Sequence, residues 1–229
     1  MENNYTNYYR TLHNDISIPI NHINYLGKID YSPKVIYDIG AAVGHWTKEA
    51  KKIWPDAKIY GFEAVTQVEE WFKEYYGDNF AIGVFSDSSE KELIFYNNPI
   101  CLGGNSYYKE NEVFSPAAKT IYGNEFEEKR TTLIIDTVVD EKRFELPDLV
   151  KIDVQGAELD ILKGMTNTLK NVKHLIVELQ HVQYNIGAQL VNDSIPFIES
   201  LGFELIVQPN GEKYFCGNGP DGDYHFIKK

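Results

Sequence analysis

From Lys34 onward, short apolar runs alternate with amphipathic stretches. KVIYDIG (34–40) is an apolar run that ends on Asp and Gly. In HWTKEAKKIW, which follows, Trp46, Ala50, Ile53 and Trp54 recur at helical spacing and the remaining positions are mostly charged. Pro55 and Asp56 close that helix, and AKIYGFEA reads as a second strand ending at Glu63. VTQVEEWFKEYYG predicts another helix, FAIGVF (80–85) a third strand, and SDSSEKELIFY a turn into a further one. After TTLIIDTVV, the stretch LVKIDVQGAELDILKGM (149–165) reads as a buried strand turning directly into a helix. HLIVEL is a strand and IPFIESLG a helix. FELIVQ and DYHFIKK close the chain as two strands around the turn-rich QPNGEKYFCGNGPDG.

Two regions lack this rhythm. Residues 1–32, polar and rich in Asn and Tyr, predict a short helical lead-in. Residues 97–130 scatter Gly, Asn, Tyr and charge without period, and a loop of that length is uncommon unless it has a function. The remainder, strand and helix in turn, predicts an α/β domain with a largely parallel sheet covered on both faces. At 229 residues the whole of 1–229 is expected to be one domain. Its 97–130 region then reads as a substrate-side insertion.

Composition narrows the functional classes. The net charge is −12, with 34 acidic against 22 basic residues, a poor balance for gripping a phosphate backbone. Nucleic acid is therefore not expected as a partner, and neutral or cationic small molecules fit better. No run approaches the ~20 apolar residues of a membrane span. The opening MENNYTNYYR leads into no apolar region of the secretory kind. Cys101 and Cys216 make no metal-ligand spacing, so reduced thiols in a cytoplasmic protein are expected. Oligomeric state is left open.

In a parallel sheet of this kind ligands bind beyond the carboxyl ends of the strands. Polar residues follow the apolar runs there: Asp38 with Gly40, Glu63, Ser86 with Asp87, Asp153, and Glu178 with His181. DIGAAVG places Gly40 and Gly44 around the first strand-to-helix turn, where backbone can approach a ligand closely. Ala42 stands where a dinucleotide fingerprint needs glycine, and no G-K-[ST] follows to make a phosphate loop. S-adenosylmethionine has no phosphate and needs no phosphate cradle. Its carboxylate suits the helix N-terminus and its ammonium suits Asp38, while Glu63 can accept both ribose hydroxyls.

VIYDIGAAVGHWT, YGFEA, the SD after strand three, TTLIIDTVVDE, VKIDVQGAELDILKG and IVELQH together resemble the landmarks of FkbM-type methyltransferases. These are class I enzymes dependent on S-adenosylmethionine. The resemblance runs from about Val35 to the C-terminus and is most specific in KIDVQGAELDILKG. It implies a Rossmann-like, seven-stranded sheet with the last strand antiparallel. It also implies methylation of a hydroxyl of a sugar, glycan or similar small molecule. Asp38, Gly40 and Gly44 would hold the methionine part, and Glu63 the ribose. Phe85, Ser86 and Asp87 would border the adenine, with Asp153 beside the reactive methyl. Gln155 stands where the family often has Glu. The unpatterned middle region would set substrate choice.

Methyl transfer to a hydroxyl requires an oxygen that loses its proton as it attacks, so a carboxylate or imidazole within reach is expected. His181 is the favoured base with Asp153 as its partner, and the reverse assignment is the rival. Plainer readings stand beside these. Asp38 could merely cap a helix, Glu63 could be a solvated strand end, and Glu158 is expected to be structural in its helix's first turn. Tyr107, Tyr108 and Tyr122 either stack on a sugar or simply cover the site. DVQG in place of an Asn/Asp-Pro-Pro-Tyr motif disfavours an amine acceptor. Asp153, Glu178 and His181 match no fixed metal motif, so no metal is expected. A metal-assisted methyltransferase and a non-catalytic adenosine-binding module are the alternatives.

Overall fold

The computed structural model describes residues 5–15, 23–208, 210–214 and 219–229, so Cys216 lies outside the described residues. The lead-in forms α1 (Thr6–Asn14) and α2 (Ile23–Leu26). Then come β1 (Val35–Ile39), α3 (His45–Ile53), β2 (Lys58–Glu63), α4 (Glu69–Tyr76) and β3 (Phe80–Ile82). β1 is buried at every position, as a strand covered on both faces must be. α3 buries Trp46 and Ala50 and leaves Lys52 exposed, matching the helical spacing of its apolar residues.

FAIGVF, expected to be one strand, is two. β3 ends before Gly83, whose N–H donates to the Glu63 carbonyl, and β4 (Val84–Phe85) leaves the main sheet. The side chain of Leu133 fills the space beside Gly83, where a Cβ would come within 2.6 Å of it. β5 (Glu92–Tyr96), α5 (Ala118–Ile121) and β6 (Glu127–Leu133) follow, and β6 lies between β4 and β5 in a second, three-stranded sheet. TTLIIDTVV spans a boundary, since the chain turns at Ile134 into α6 (Ile135–Lys142).

β7 (Leu149–Ile152), α7 (Glu158–Lys163), β8 (His174–Gln180), α8 (Val191–Ser200), β9 (Phe203–Leu205) and β10 (Asp221–Lys228) complete the chain. The seven strands of the main sheet run β3-β2-β1-β7-β8-β10-β9. β10 is antiparallel to both its neighbours and the other pairings are parallel. This is the expected architecture. Tyr37, Ile39, Val150, Ile152 and Val177 face α6, α7 and α8 on one side of the sheet. Ile36, Leu149 and Ile176 face α1, α3 and α4 on the other. Strand order reverses between β1 and β7, so the crevice of a doubly wound sheet opens there. No helix among the described residues is long and apolar enough to cross a membrane.

The middle region is ordered, contrary to its lack of period. Its structure comes from side chains bonding to backbone. Asn98 and Asn105 close a loop reciprocally, Asn98 N–H to Asn105 Oδ1 (2.8 Å) and Asn105 Nδ2 to Asn98 O (3.0 Å). The hydroxyls of Tyr8 and Tyr9 in α1 donate to the carbonyls of Ile100 and Pro99. At its other end, Asn111 N–H donates to Tyr184 O and Ile186 N–H to Lys109 O, with a bridge between Glu110 and Asn185. The region is thus a cover, tied to α1 on one side and to the turn after β8 on the other.

Candidate active site

A cavity of ≈ 310 Å³ opens at the carboxyl ends of β1, β2, β7 and β8, within the usual range for small-molecule sites. Gly40, Ala42, Glu63, Phe85, Asp153, Gln155 and Glu178 line it from the sheet side, and Leu102, Gly103, Asn105, Ser106 and Tyr107 from the cover. Register explains which residues meet. Ile39 pairs with Ile152, Ile152 with Val177, and Glu178 with Asp223. One step further along, Gly40, Asp153, Glu178 and Asp223 therefore stand side by side across four neighbouring strands.

Gly40 must be glycine twice over. Its φ is +79°, and a Cβ would lie 1.7 Å from the Asp153 carbonyl oxygen. Backbone consequently forms the wall there. Glu63 is 8% exposed, and its carboxylate organises the neighbouring turns. Oε2 accepts from Ala42 N–H (2.8 Å), and Oε1 from Ala64 (2.7 Å) and Val65 (3.0 Å). A carboxylate offers about four acceptor positions. Three are taken, so one remains, on Oε2, rather than the two that a pair of ribose hydroxyls would use. Burial raises its pKa, and the three backbone donors oppose that rise.

At the other end lies a carboxylate pair. Asp153 Oδ2 accepts from Lys151 Nζ (2.9 Å), and Gln155 Nε2 donates to Asp153 Oδ1 (3.3 Å) and to Glu178 Oε2 (2.8 Å). Gln155 does this from a left-handed backbone, φ +58°. Burial pushes the Glu178 carboxyl well up, helped by the charges of Asp153, Asp221 and Asp223 and by a hydrogen bond with Asp153. Two like charges in contact favour keeping one proton between them. Lys151 is 4% exposed. Burial lowers its pKa, but the fields of Asp153, Asp38 and Asp223 outweigh this and hold it charged.

Glu158 stays within its own turn. Its Oε1 accepts from Val154 (3.2 Å) and Gly156 (3.0 Å) N–H, and burial raises its pKa to about 7. Gly156, at φ +99°, lets that turn pass within reach of Ala188 and Asn185.

Several other sequence-selected residues are not in the walls. Asp38 is fully buried beneath the site, where Oδ2 accepts from Thr47 Oγ1 (2.7 Å) and Oδ1 faces Lys151 Nζ at 3.9 Å. Gly44 precedes α3 against the Tyr75 ring. Ser86 is buried, with Oγ 3.3 Å from the Tyr107 hydroxyl, and Asp87 is exposed, accepting from Ser88 Oγ (3.0 Å). His181 has Nε2 2.9 Å from the Tyr224 hydroxyl and Nδ1 3.3 Å from Gly219 O, outside the cavity. Sequence reasoning passed over the bridging part of Gln155 and the buried Lys151. Lys151 had a signal, a cation inside an otherwise apolar strand, two residues before Asp153. Tyr107 lines the cavity, and Tyr107 and Tyr108 both donate to Asp160 Oδ2 (3.2 and 2.7 Å). Tyr122 packs at Gly104 and donates to the Cys101 carbonyl (3.0 Å). Among the described residues no group of three or more His, Cys, Asp or Glu has metal-holding geometry.

The chain is similar to known proteins in sequence and in fold. Hexuronic acid methyltransferase AglP of Haloferax volcanii is 36% identical over 92 residues, covering 40% of this chain and 33% of AglP. AMB antimetabolite synthetase AmbE of Pseudomonas aeruginosa is 21% identical over 217 residues, covering 80% of this chain and 10% of AmbE. The chain thus spans at most about a third of either curated relative. The crystal structure of Methyltransferase FkbM from Methylobacillus flagellatus KT superposes with a TM-score of 0.50 at 13% identity, over 88% of this chain and 45% of that one, a likeness of fold. The family model for the methyltransferase FkbM domain matches residues 38–205, from the buried Asp38 through β9. The match covers well over half the sequence, and the chain belongs to the FkbM methyltransferase family.

Proposed function

We propose that the chain is an S-adenosylmethionine-dependent O-methyltransferase that acts on a hydroxyl of a sugar or comparable small molecule, with residues 1–229 folding as one domain and 97–130 on the acceptor side. The observation that carries this reading is one cavity with a backbone-walled, Glu63-bearing end and a carboxylate pair at the other. The named activity of AglP supports a sugar acceptor.

The residues present fit the cofactor. Gly40 gives close backbone approach, and the remaining acceptor position on Glu63 Oε2 suits one ribose hydroxyl. Phe85, Val84 and Ile161 supply an apolar wall for the adenine. Asp38 and Gly44 act on this end indirectly, Asp38 by fixing Thr47 and Lys151 and Gly44 by starting α3. When bound, S-adenosylmethionine supplies a methyl group activated on a sulfonium.

The protein's own part is to take a proton and exclude water. The acceptor oxygen gives up its proton as the new C–O bond forms, and the Asp153–Glu178 pair is placed to receive it. Lys151 holds Asp153 from below, and Gln155 holds both carboxylates from the side. His181 is left with Tyr224 and Gly219, so the pair replaces it as the base in this reading. The cover, anchored by Tyr107 and Tyr108 on Asp160, closes the cavity over the reacting atoms.

The test begins with calorimetric titration by S-adenosylhomocysteine, with NADH as control. Micromolar binding that Glu63→Ala weakens strongly is expected. Asp153→Asn and Glu178→Gln should then abolish methyl transfer to sugars while leaving that binding intact. Preference for NADH, or normal turnover by both variants, would overturn the reading.

A further inference from the structure

The walls of the cavity carry one sign of charge. Three acidic residues line it, Glu63, Asp153 and Glu178, and among the described residues that line it none is Lys, Arg or His. The nearby cation is already committed. Lys151 lies beneath the floor, 2.9 Å from Asp153 and 3.9 Å from Asp38, with its side chain 5% exposed. On the far side the acidity continues. Asp223 stands opposite Glu178 and Asp221 opposite Gln180, on the same face of the β8–β10 ladder, because directly paired residues point the same way. An acceptor at the carboxylate pair therefore meets Asp153 and Glu178 in the wall, with Asp221 and Asp223 behind them on β10.

An anionic acceptor finds no cation among the described lining residues. Its carboxylate would lose water beside Asp153 and Glu178 with no guanidinium or ammonium there to meet it. A neutral hydroxyl compound is tolerated. An ammonium on the acceptor gains from the ionised member of the Asp153–Glu178 pair, in a site shielded from water. The raised Glu178 carboxyl is a sign of the same surplus, since its acidic neighbours contribute to its shift.

Resting on the methyltransferase reading, we infer that the acceptor is a hydroxyl compound that bears an amine and no acid group, of the amino-sugar class. In this the chain parts from its hexuronic-acid relative.

The experiment has two stages on the full chain. Titration with S-adenosylhomocysteine comes first, and failure to bind there overturns the methyltransferase reading itself. The loaded protein is then titrated with the methyl glycosides of a hexosamine, the matching neutral hexose and the matching hexuronate. The hexosaminide is expected to bind roughly tenfold more tightly than the hexoside, and the hexuronide more weakly than either. The hexosaminide's advantage should shrink as sodium chloride is raised, because screening acts on charge and not on shape. Equal binding of all three, tightest binding of the hexuronide, or no binding of any to the loaded protein would overturn the inference.

Discussion

Gln155 donates its side-chain amide to Glu178 at 2.8 Å from a backbone held at φ +58°. A left-handed conformation costs a non-glycine residue roughly 1 kcal/mol. The chain keeps it where it aims one amide at both members of a carboxylate pair. Gln155→Gly relieves the backbone and removes the donor. Thermal melting should show the variant at least as stable as the parent, while kcat falls by about tenfold or more. Unchanged kcat would show that the amide does not serve the pair.

Gly40 and Asp153 touch through backbone, so Gly40→Ala cannot be accommodated by moving a side chain. The substitution should cost on the order of 3 kcal/mol. Any folded fraction should lose S-adenosylhomocysteine binding, measured by calorimetry beside a denaturant curve.

Glu178 titrates above the ordinary carboxylate range, chiefly because it is buried and then because Asp153, Asp221 and Asp223 are near. A base must be unprotonated, so kcat/KM should rise with pH through the elevated Glu178 pKa. Asp223→Asn removes one of the charges that raise it. The rising limb of the kcat/KM profile should then move to lower pH.

Burial, with His174 beside it, lowers the His225 pKa from 6.5 to about 3. Between those two values the unfolded chain binds a proton that the folded chain refuses. The stability gained from a neutral His225 is whole above pH 6.5 and is lost as pH falls toward 3. The slope is at most about 1.4 kcal/mol per pH unit. His174, whose pKa burial also lowers, adds to the same trend. Urea unfolding of His225→Phe between pH 7 and 4 should show a shallower fall than the parent.

Asp160 receives both tyrosine hydroxyls of the cover and the ammonium of Lys163. Asp160→Ala should raise KM for cofactor and acceptor about three- to tenfold by loosening that closure. Limited proteolysis should cut faster within 106–117.

The sheet was legible because buried parallel strands read as nearly continuous apolar runs, broken in VIYDI only by Asp38 and in LVKI only by Lys151. Legibility failed where neither face of a strand is fully buried. β6, EEKRTTL, buries only Thr132 and shows no alternation of apolar and polar residues, so the end of the middle region was set too late. Gly83 divided a run that looked continuous because the division serves a second sheet that no local signal announces. In the site, Glu63, Asp153 and Glu178 were found by their place at strand ends. The direction of His181 and the bridge made by Gln155 depend on partners 43 and 23 residues distant, which spacing along the chain does not encode.

The cover also bears on how new specificities could be built from this scaffold. Its near end hangs on two tyrosines of α1 and its far end on the turn that follows β8. Those three pieces lie far apart in sequence yet form one mechanical unit. A chimera that imports only residues 97–126 from a cousin would arrive without its moorings. Transplanting them together with α1 and residues 181–190 moves the unit whole.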